Sequence, residues 1–216
     1  NTVSSTMKRV YFKMTLALIV TALTALGCAN NGFLEFMYAN SWMMWVLIIA
    51  EFGLVFGISA GINKMSSTIA TALFYLFAVV NGLMLSSIFV VYSPTAIVKT
   101  FFITAGTFGA MSVYGYFTSQ DLSKIGSYLF MALIGLIIAS LVNIFLHSST
   151  LDWIVSIAGV LIFIGLTAWD TQQIKAMAQA APQDSVGRLA TLGALSLYLD
   201  FINLFLYLLR IFGNRD

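Results

Sequence analysis

Leu189-Ala-Thr-Leu-Gly-Ala-Leu-Ser-Leu-Tyr-Leu-Asp200-Phe-Ile-Asn-Leu-Phe-Leu-Tyr-Leu-Leu-Arg210-Ile-Phe212 is the stretch on which the fold turns. A helix needs about 20 predominantly apolar residues to cross a bilayer, and this run supplies them. It also holds an acid near its centre. Asp200 comes eleven residues after Leu189, roughly 16 Å along a helix rising 1.5 Å per residue. Ser196, Asp200, Asn203 and Tyr207 follow one another at spacings of four, three and four, which makes one polar stripe on an otherwise apolar helix. A carboxylate turned toward lipid is the arrangement the energetics exclude, so this stripe faces protein or water.

Six more stretches of the same kind precede it, at residues 11–29, 41–61, 68–92, 96–117, 126–146 and 151–173, with 189–212 the seventh. The composition agrees. The 216 residues are 60% hydrophobic and 8% charged, against about 25% charged in soluble domains. A globule of this size cannot hide that much apolar surface from water, so a bilayer must solvate part of it. Two prolines and long apolar runs exclude a β-barrel, whose strands alternate in short segments. The net charge of +2 is small and scattered and argues against nucleic acid as a partner.

The connections are short and carry the turn chemistry: Asn30-Asn31-Gly32, Asn63-Lys64, Ser93-Pro94, Asp121, His147-Ser148-Ser149 and Pro182-Gln183-Asp184. They leave no room for a soluble module, so the expectation is one all-α integral membrane domain over residues 1–216. Lys8, Arg9 and Lys13 precede a run ending Ala25-Leu26-Gly27-Cys28, the outline of a lipoprotein signal. Alanine stands at 25 where such sites carry leucine, and the later spans favour an uncleaved first helix. Placing the spans alternately, Lys8, Arg9, Lys13, Lys64, Lys124, Lys175 and Arg188 fall on one side, while Arg210 and Arg215 fall on the other, with Lys99 just inside the fourth span. The N-terminus is therefore predicted cytoplasmic. Gly53, Gly57 and Gly61 recur every fourth residue, as Ala105 and Gly109 do, and predict close helix packing.

Three carboxylates fall inside apolar runs: Glu51, Asp170 and Asp200. Ionisable groups within a membrane mark functional sites. Ser156, Thr167 and Asp170 share one face of the sixth span, which could turn toward the stripe of the seventh. Counted from the span ends, the two aspartates differ in depth by about two turns, so spacing does not decide whether they meet. If they do, two carboxyls in a low dielectric share a proton and respond to pH. Ionised, they make a hard oxygen site for Ca²⁺, which takes six to eight oxygens. Asn203, Ser196, Glu51 and water are the candidate secondary donors. The alternative is that each aspartate bonds a neighbouring hydroxyl or lysine, Lys175 for Asp170, and only locks helix packing. His147 lies in a loop, and the ten methionines form no metal-binding cluster.

Motifs for enzyme chemistry are missing. There is no phosphate-cradling glycine loop, no His-Glu-x-x-His, no serine elbow and no EF-hand loop. Intramembrane aspartyl proteases carry Gly-x-Gly-Asp, whereas Asp200 sits in Leu197-Tyr198-Leu199-Asp200. No catalysis and no cofactor are expected.

Gly165-Leu-Thr-Ala-Trp-Asp170-Thr-Gln-Gln-Ile-Lys175 and Leu195-Ser-Leu-Tyr-Leu-Asp200-Phe-Ile-Asn-Leu-Phe205 resemble the signature of the Bax inhibitor family. Asn81-Gly-Leu-Met-Leu-Ser-Ser-Ile-Phe89 and Thr104-Ala-Gly-Thr-Phe-Gly-Ala-Met111 are similar to its third and fourth spans. The likeness runs from about residue 8 to residue 214 and is greatest to the bacterial branch, which includes a modulator of a membrane-bound AAA protease. It implies six helices around a central seventh and a bacterial inner-membrane location. It also implies a pH-sensitive calcium leak gated by Asp170 and Asp200, with Glu51 as the second-helix acid. Some relatives close the pore with an arginine at the end of helix two. Here that stretch reads Gly61-Ile62-Asn63-Lys64, so Lys64 is the nearest substitute. The expected function is a proton-regulated calcium conduit, with calcium and protons as its ligands. The rival is a non-conducting protein that binds a membrane protease.

Overall fold

Hydroxyl, amide and glycine residues between the apolar runs set the helix ends. In the computed structural model, which describes residues 2–213, α1 (Thr2–Ala29) runs into Asn30-Asn31-Gly32, where Gly32 adopts φ 83°. That left-handed backbone suits glycine, which has no Cβ to clash. A short helix, α2 (Phe33–Ala39), follows, with Leu34 and Met37 buried; the sequence reading had only a turn there. After α3 (Trp42–Gly61) a 3₁₀ turn (Ile62–Lys64) leads to α4 (Ser67–Leu85), whose N-cap hydroxyl, Ser66 Oγ, accepts from the Ile69 N–H at 3.2 Å. Next come α5 (Ile88–Val91) and α6 (Pro94–Phe117). Ser93 Oγ caps α6 by accepting from the Ala96 N–H at 3.2 Å, and Pro94 occupies its first turn. The last three helices are α7 (Ser123–Leu146), α8 (Ser149–Ala180) and α9 (Val186–Gly213).

Seven stretches among the described residues are helical, long and apolar enough to cross a membrane, and no strand is present among them. The expectation of an all-α polytopic fold therefore holds. Several boundaries differ, among them the start of the first helix, at Thr2 ahead of the predicted 11. The third span is interrupted between α4 and α5, where Ser86 Oγ donates to the Leu83 carbonyl and Ser87 Oγ to that of Met84. Such side-chain bonds satisfy backbone carbonyls that a broken helix would leave bare in lipid. The sixth span continues seven residues past the predicted 173, to Ala180, because Ile174-Lys175-Ala176-Met177-Ala178-Gln179-Ala180 consists mostly of good helix formers. Arg215, used above in the charge count, lies outside the described residues.

Packing divides the chain into two compact units. One draws on the residues up to Val91 and on Met177–Tyr198; the other on Tyr92–Ala176 and the chain from Leu199 onward. In the first, Gly82 of α4 lies directly against Thr21 and Thr24 of α1. In the second, Gly115 of α6 meets the Ala168 backbone, Gly126 of α7 the Trp169 ring, and Gly159 of α8 the Tyr207 ring. The glycines expected to pack behave otherwise. At Gly53, Gly57 and Gly109 nothing stands within 4 Å of where a Cβ would be, and Gly61 meets only the tip of Met65. Close approach is made by isolated glycines opposite bulky or backbone neighbours, not by the repeating ones. The seventh span is the most buried of the seven, with 67% of its most apolar window inside the protein.

Candidate functional site

α8 and α9 run antiparallel in the second unit, and their register can be read from side-chain pairs. Phe163 stacks on Tyr207 with ring centroids 6.0 Å apart. Seven residues farther along α8 and seven back along α9 stand Asp170 and Asp200. Seven residues make two turns, so both return to the face that carries the stacked rings. Their carboxyl groups are within hydrogen-bonding reach of each other. The gap in depth expected from the sequence shrinks because the helices end elsewhere. Asp170 lies ten residues before the end of α8 and Asp200 fourteen after the start of α9, a difference of four residues, or about 6 Å.

Neighbours fix this pair in place. Asp200 is 5% exposed and its Oδ2 has no hydrogen-bond partner among the described residues. Around Asp170, Thr167 donates to the Phe163 carbonyl at 2.7 Å and Thr171 to that of Thr167 at 2.8 Å. Thr171 also meets Ser112 of α6 at 3.4 Å. Next to Asp200, Phe201 packs on Phe108 of α6 with centroids 5.3 Å apart. Gly115 lets α6 touch α8, so three helices close on the two carboxyls.

The other sequence candidates fare differently. Asn203 turns its amide N–H to the Leu199 carbonyl at 2.8 Å, a local backbone bond made by its nitrogen and not by its oxygen. Lys175 donates to the Tyr116 carbonyl at 2.7 Å and sits 4.5 Å over the Tyr116 ring, so its ammonium is committed there and not to Asp170. Ser196, Glu51 and Lys64 belong to the first unit. Ser196 and Glu51 are half-buried, and Glu51 Oε1 lacks a partner among the described residues. Lys64 is exposed in its 3₁₀ turn. Among the described residues no three His, Cys, Asp or Glu side chains come together as a metal cluster. The acids that come together in this unit are thus the pair Asp170 and Asp200.

Two polar arrangements went unread in the sequence. In the first unit Tyr198 is fully buried, its hydroxyl 2.9 Å from Asn81 Nδ2 and 2.5 Å from Thr21 Oγ1, while Thr21 donates to the Ala78 carbonyl at 2.8 Å. In the second, Arg210 pairs with Asp152 beside a cavity of about 190 Å³ lined also by Ser140 and Asn143. The signals were there, Asn81 and Thr21 within apolar spans and an acid in the first turn of α8, but their partners lie far away in sequence.

The comparisons with known proteins cover nearly the whole chain. The family profile described as Inhibitor of apoptosis-promoting Bax1 matches residues 3–216. The inner membrane protein YbhL of Escherichia coli K12 is 51% identical over 213 residues, 97% of this chain and 91% of its own. A protein of Borreliella burgdorferi is 50% identical over 210 residues, covering 96% and 90%, and one of Rickettsia prowazekii is 44% identical over 210 residues, covering 97% and 89%.

Proposed function

The chain belongs to the Bax inhibitor family, and from that premise we propose that it is a pH-sensitive calcium leak gated by the Asp170–Asp200 pair. The observation that carries the reading is the contact of the two carboxyls with Asp200 buried beside it. Two negative charges 4 Å apart repel by about 4 kcal/mol at an effective dielectric of 20, so the pair must hold a proton, draw in a cation or separate. A proton between the carboxyls keeps α8 and α9 joined. Losing it leaves oxygens that suit Ca²⁺, and protons and calcium then compete for one place. Tight calcium sites surround the ion with six to eight oxygens, most of them from the protein. A site of two carboxylates holds it loosely, and conduction requires binding weak enough to release.

The E. coli relative is an inner membrane protein, which supports the same membrane for this chain. The asymmetry of basic residues supports a cytoplasmic N-terminus. The test is calcium-dye flux into liposomes carrying the purified chain, across a pH series. Wild type should pass calcium with a clear pH response, and Asp200→Asn should abolish or flatten it. If wild type passes no more calcium than protein-free liposomes, or Asp200→Asn keeps its pH response, the reading fails. The first of those results favours the non-conducting partner of a membrane protease.

A further inference from the structure

At the end of the first unit where α1 begins, three helices contribute residues in matching four-residue steps: Arg9 and Lys13 from α1, Ser67 and Thr71 from α4, and Gly187 and Thr191 from α9. They stack as two rungs. In the outer one, Arg9 Nη2 lies 3.5 Å and Ser67 Oγ 2.5 Å from where a Cβ on Gly187 would stand. In the inner one, Lys13 Nζ donates to Thr71 Oγ1 at 2.6 Å and to Thr191 Oγ1 at 3.2 Å. Thr191 passes its own hydrogen to the Gly187 carbonyl at 3.1 Å.

Among the described residues this place has two cations and no anion. The charged neighbour of Lys13 is Arg9, and among the described residues neither pairs with a carboxylate. Of the acids in this unit, Glu35 and Glu51 lie on α2 and α3, and Asp184 is exposed with no ion pair among the described residues. Arg188 adds a further positive charge at this end, with Nη1 3.4 Å from the Asn63 carbonyl. Half-burying an ammonium beside a like charge is unfavourable unless an anion comes from outside. Each ammonium carries three donors, and those of Lys13 exceed the two hydroxyls it meets.

The lipid-facing surface says which anion. Beside Arg9 and Lys13, Phe12, Leu16, Ile19 and Leu23 run along α1 at spacings of four, three and four, 65%, 36%, 49% and 65% exposed. A phosphate at the two rungs is thereby joined to an apolar track running into the bilayer. We propose that Arg9 and Lys13, with the hydroxyls of Ser67 and Thr71, bind the phosphate of an anionic phospholipid whose acyl chains lie along that stripe. Basic pockets between membrane helices recognise lipid headgroups in this way. The site is separate from the aspartate pair and does not depend on conduction.

The test reconstitutes the full chain in vesicles of equal phosphatidylglycerol and phosphatidylcholine and reads the lipid retained on release by native mass spectrometry. Wild type should retain phosphatidylglycerol in preference. Arg9→Gln should lower that preference about fivefold, the equivalent of about 1 kcal/mol for one basic residue at an anionic surface. Arg9→Lys, which keeps the charge, should preserve most of it. Lys8→Gln, exposed and one position off the rungs, should leave it unchanged. Equal retention of the two lipids by wild type, or an unaltered preference in Arg9→Gln, overturns the proposal. So does inorganic phosphate displacing the retained phosphatidylglycerol, which would assign the site to the free anion.

Discussion

Tyr198 stands two residues before Asp200 and does different work. Thr21 has one hydroxyl hydrogen and gives it to the Ala78 carbonyl, so the 2.5 Å contact must be donated by Tyr198. Tyr198 in turn accepts from Asn81, which orders the chain from amide to phenol to hydroxyl to carbonyl. Phe74 and Phe77 close around the ring edge-on, with centroids 5.7 and 5.8 Å away. Tyr198→Phe removes the acceptor of a buried amide N–H and should destabilise the protein by about 1–3 kcal/mol, read as a lowered unfolding midpoint in detergent. Combined with Asn81→Ala, the loss should be smaller than the two single losses added, because both act on one network. The residues of the aspartate pair are left in place, so the proposed calcium flux should keep its pH response; an unchanged midpoint would show that the network contributes nothing. The burial of Asp200 could be read from sequence because an acid in an apolar run must be kept from lipid. Tyr198 could not, since a tyrosine in such a run passes for an apolar residue until its partners from α1 and α4 are known.

Glycine separates what spacing can foresee from what packing decides. The Gly53–Gly57–Gly61 repeat was the obvious candidate for helix contact, yet Gly53 faces open space, while Gly115, in no repeat of its own, lies on the Ala168 backbone. A methyl group there meets atoms that cannot rotate away. Gly115→Ala should therefore destabilise by about 1–3 kcal/mol, whereas Gly53→Ala should be neutral or stabilising by up to about 1 kcal/mol through helix propensity. Unfolding midpoints of the two variants check the contrast, and a similar loss in both would contradict it. The start of α7 offers a second case. Asp121 Oδ1 accepts from the Ser123 backbone N–H at 3.0 Å, and that bond holds its carboxyl below the usual range although the group is exposed. The stability it adds is complete above the unfolded-state pKa and is lost as pH falls through the lower folded one. An NMR titration should place the Asp121 midpoint below that of a free aspartate, and Asp121→Asn should remove this part of the acid dependence; a midpoint at the ordinary value would mean the bond is not made in solution. Turn residues announced this element and the cap of α6, but not Ser66, which caps α4. The break after Leu85 stayed hidden because Ser86 and Ser87 read as tolerable within a span until their hydroxyls are seen bonding backward.

Across the whole molecule, hydropathy counts the spans but does not say which of them meet lipid. The fifth span has the highest mean hydropathy, 2.6, and only 6% of its window is buried; the seventh has 1.7 and is 67% buried. A water-soluble protein would place its most apolar helix inside. Here the bilayer is as good a solvent for leucine as the core is, so the interior goes to the helix that must keep an acid, an asparagine and a tyrosine away from lipid. The residues agree: Ile134, Ile138 and Leu141 of α7 are about half exposed, while Leu197 and Leu204 of α9 are fully enclosed. The burial of the seventh span thus fits what family likeness implied and not what hydropathy suggests, which points toward the fifth span. A lipid-soluble diazirine activated in vesicles of the unmodified protein tests this directly, because it inserts only into residues that the acyl chains reach. Peptides from α7 should carry several-fold more label per residue than peptides from α9, despite comparable length and the greater aromatic content of α9. Equal labelling of the two, or heavier labelling of α9, would mean that the seventh helix faces lipid, and the burial that brings Asp200 to Asp170 would fall with it.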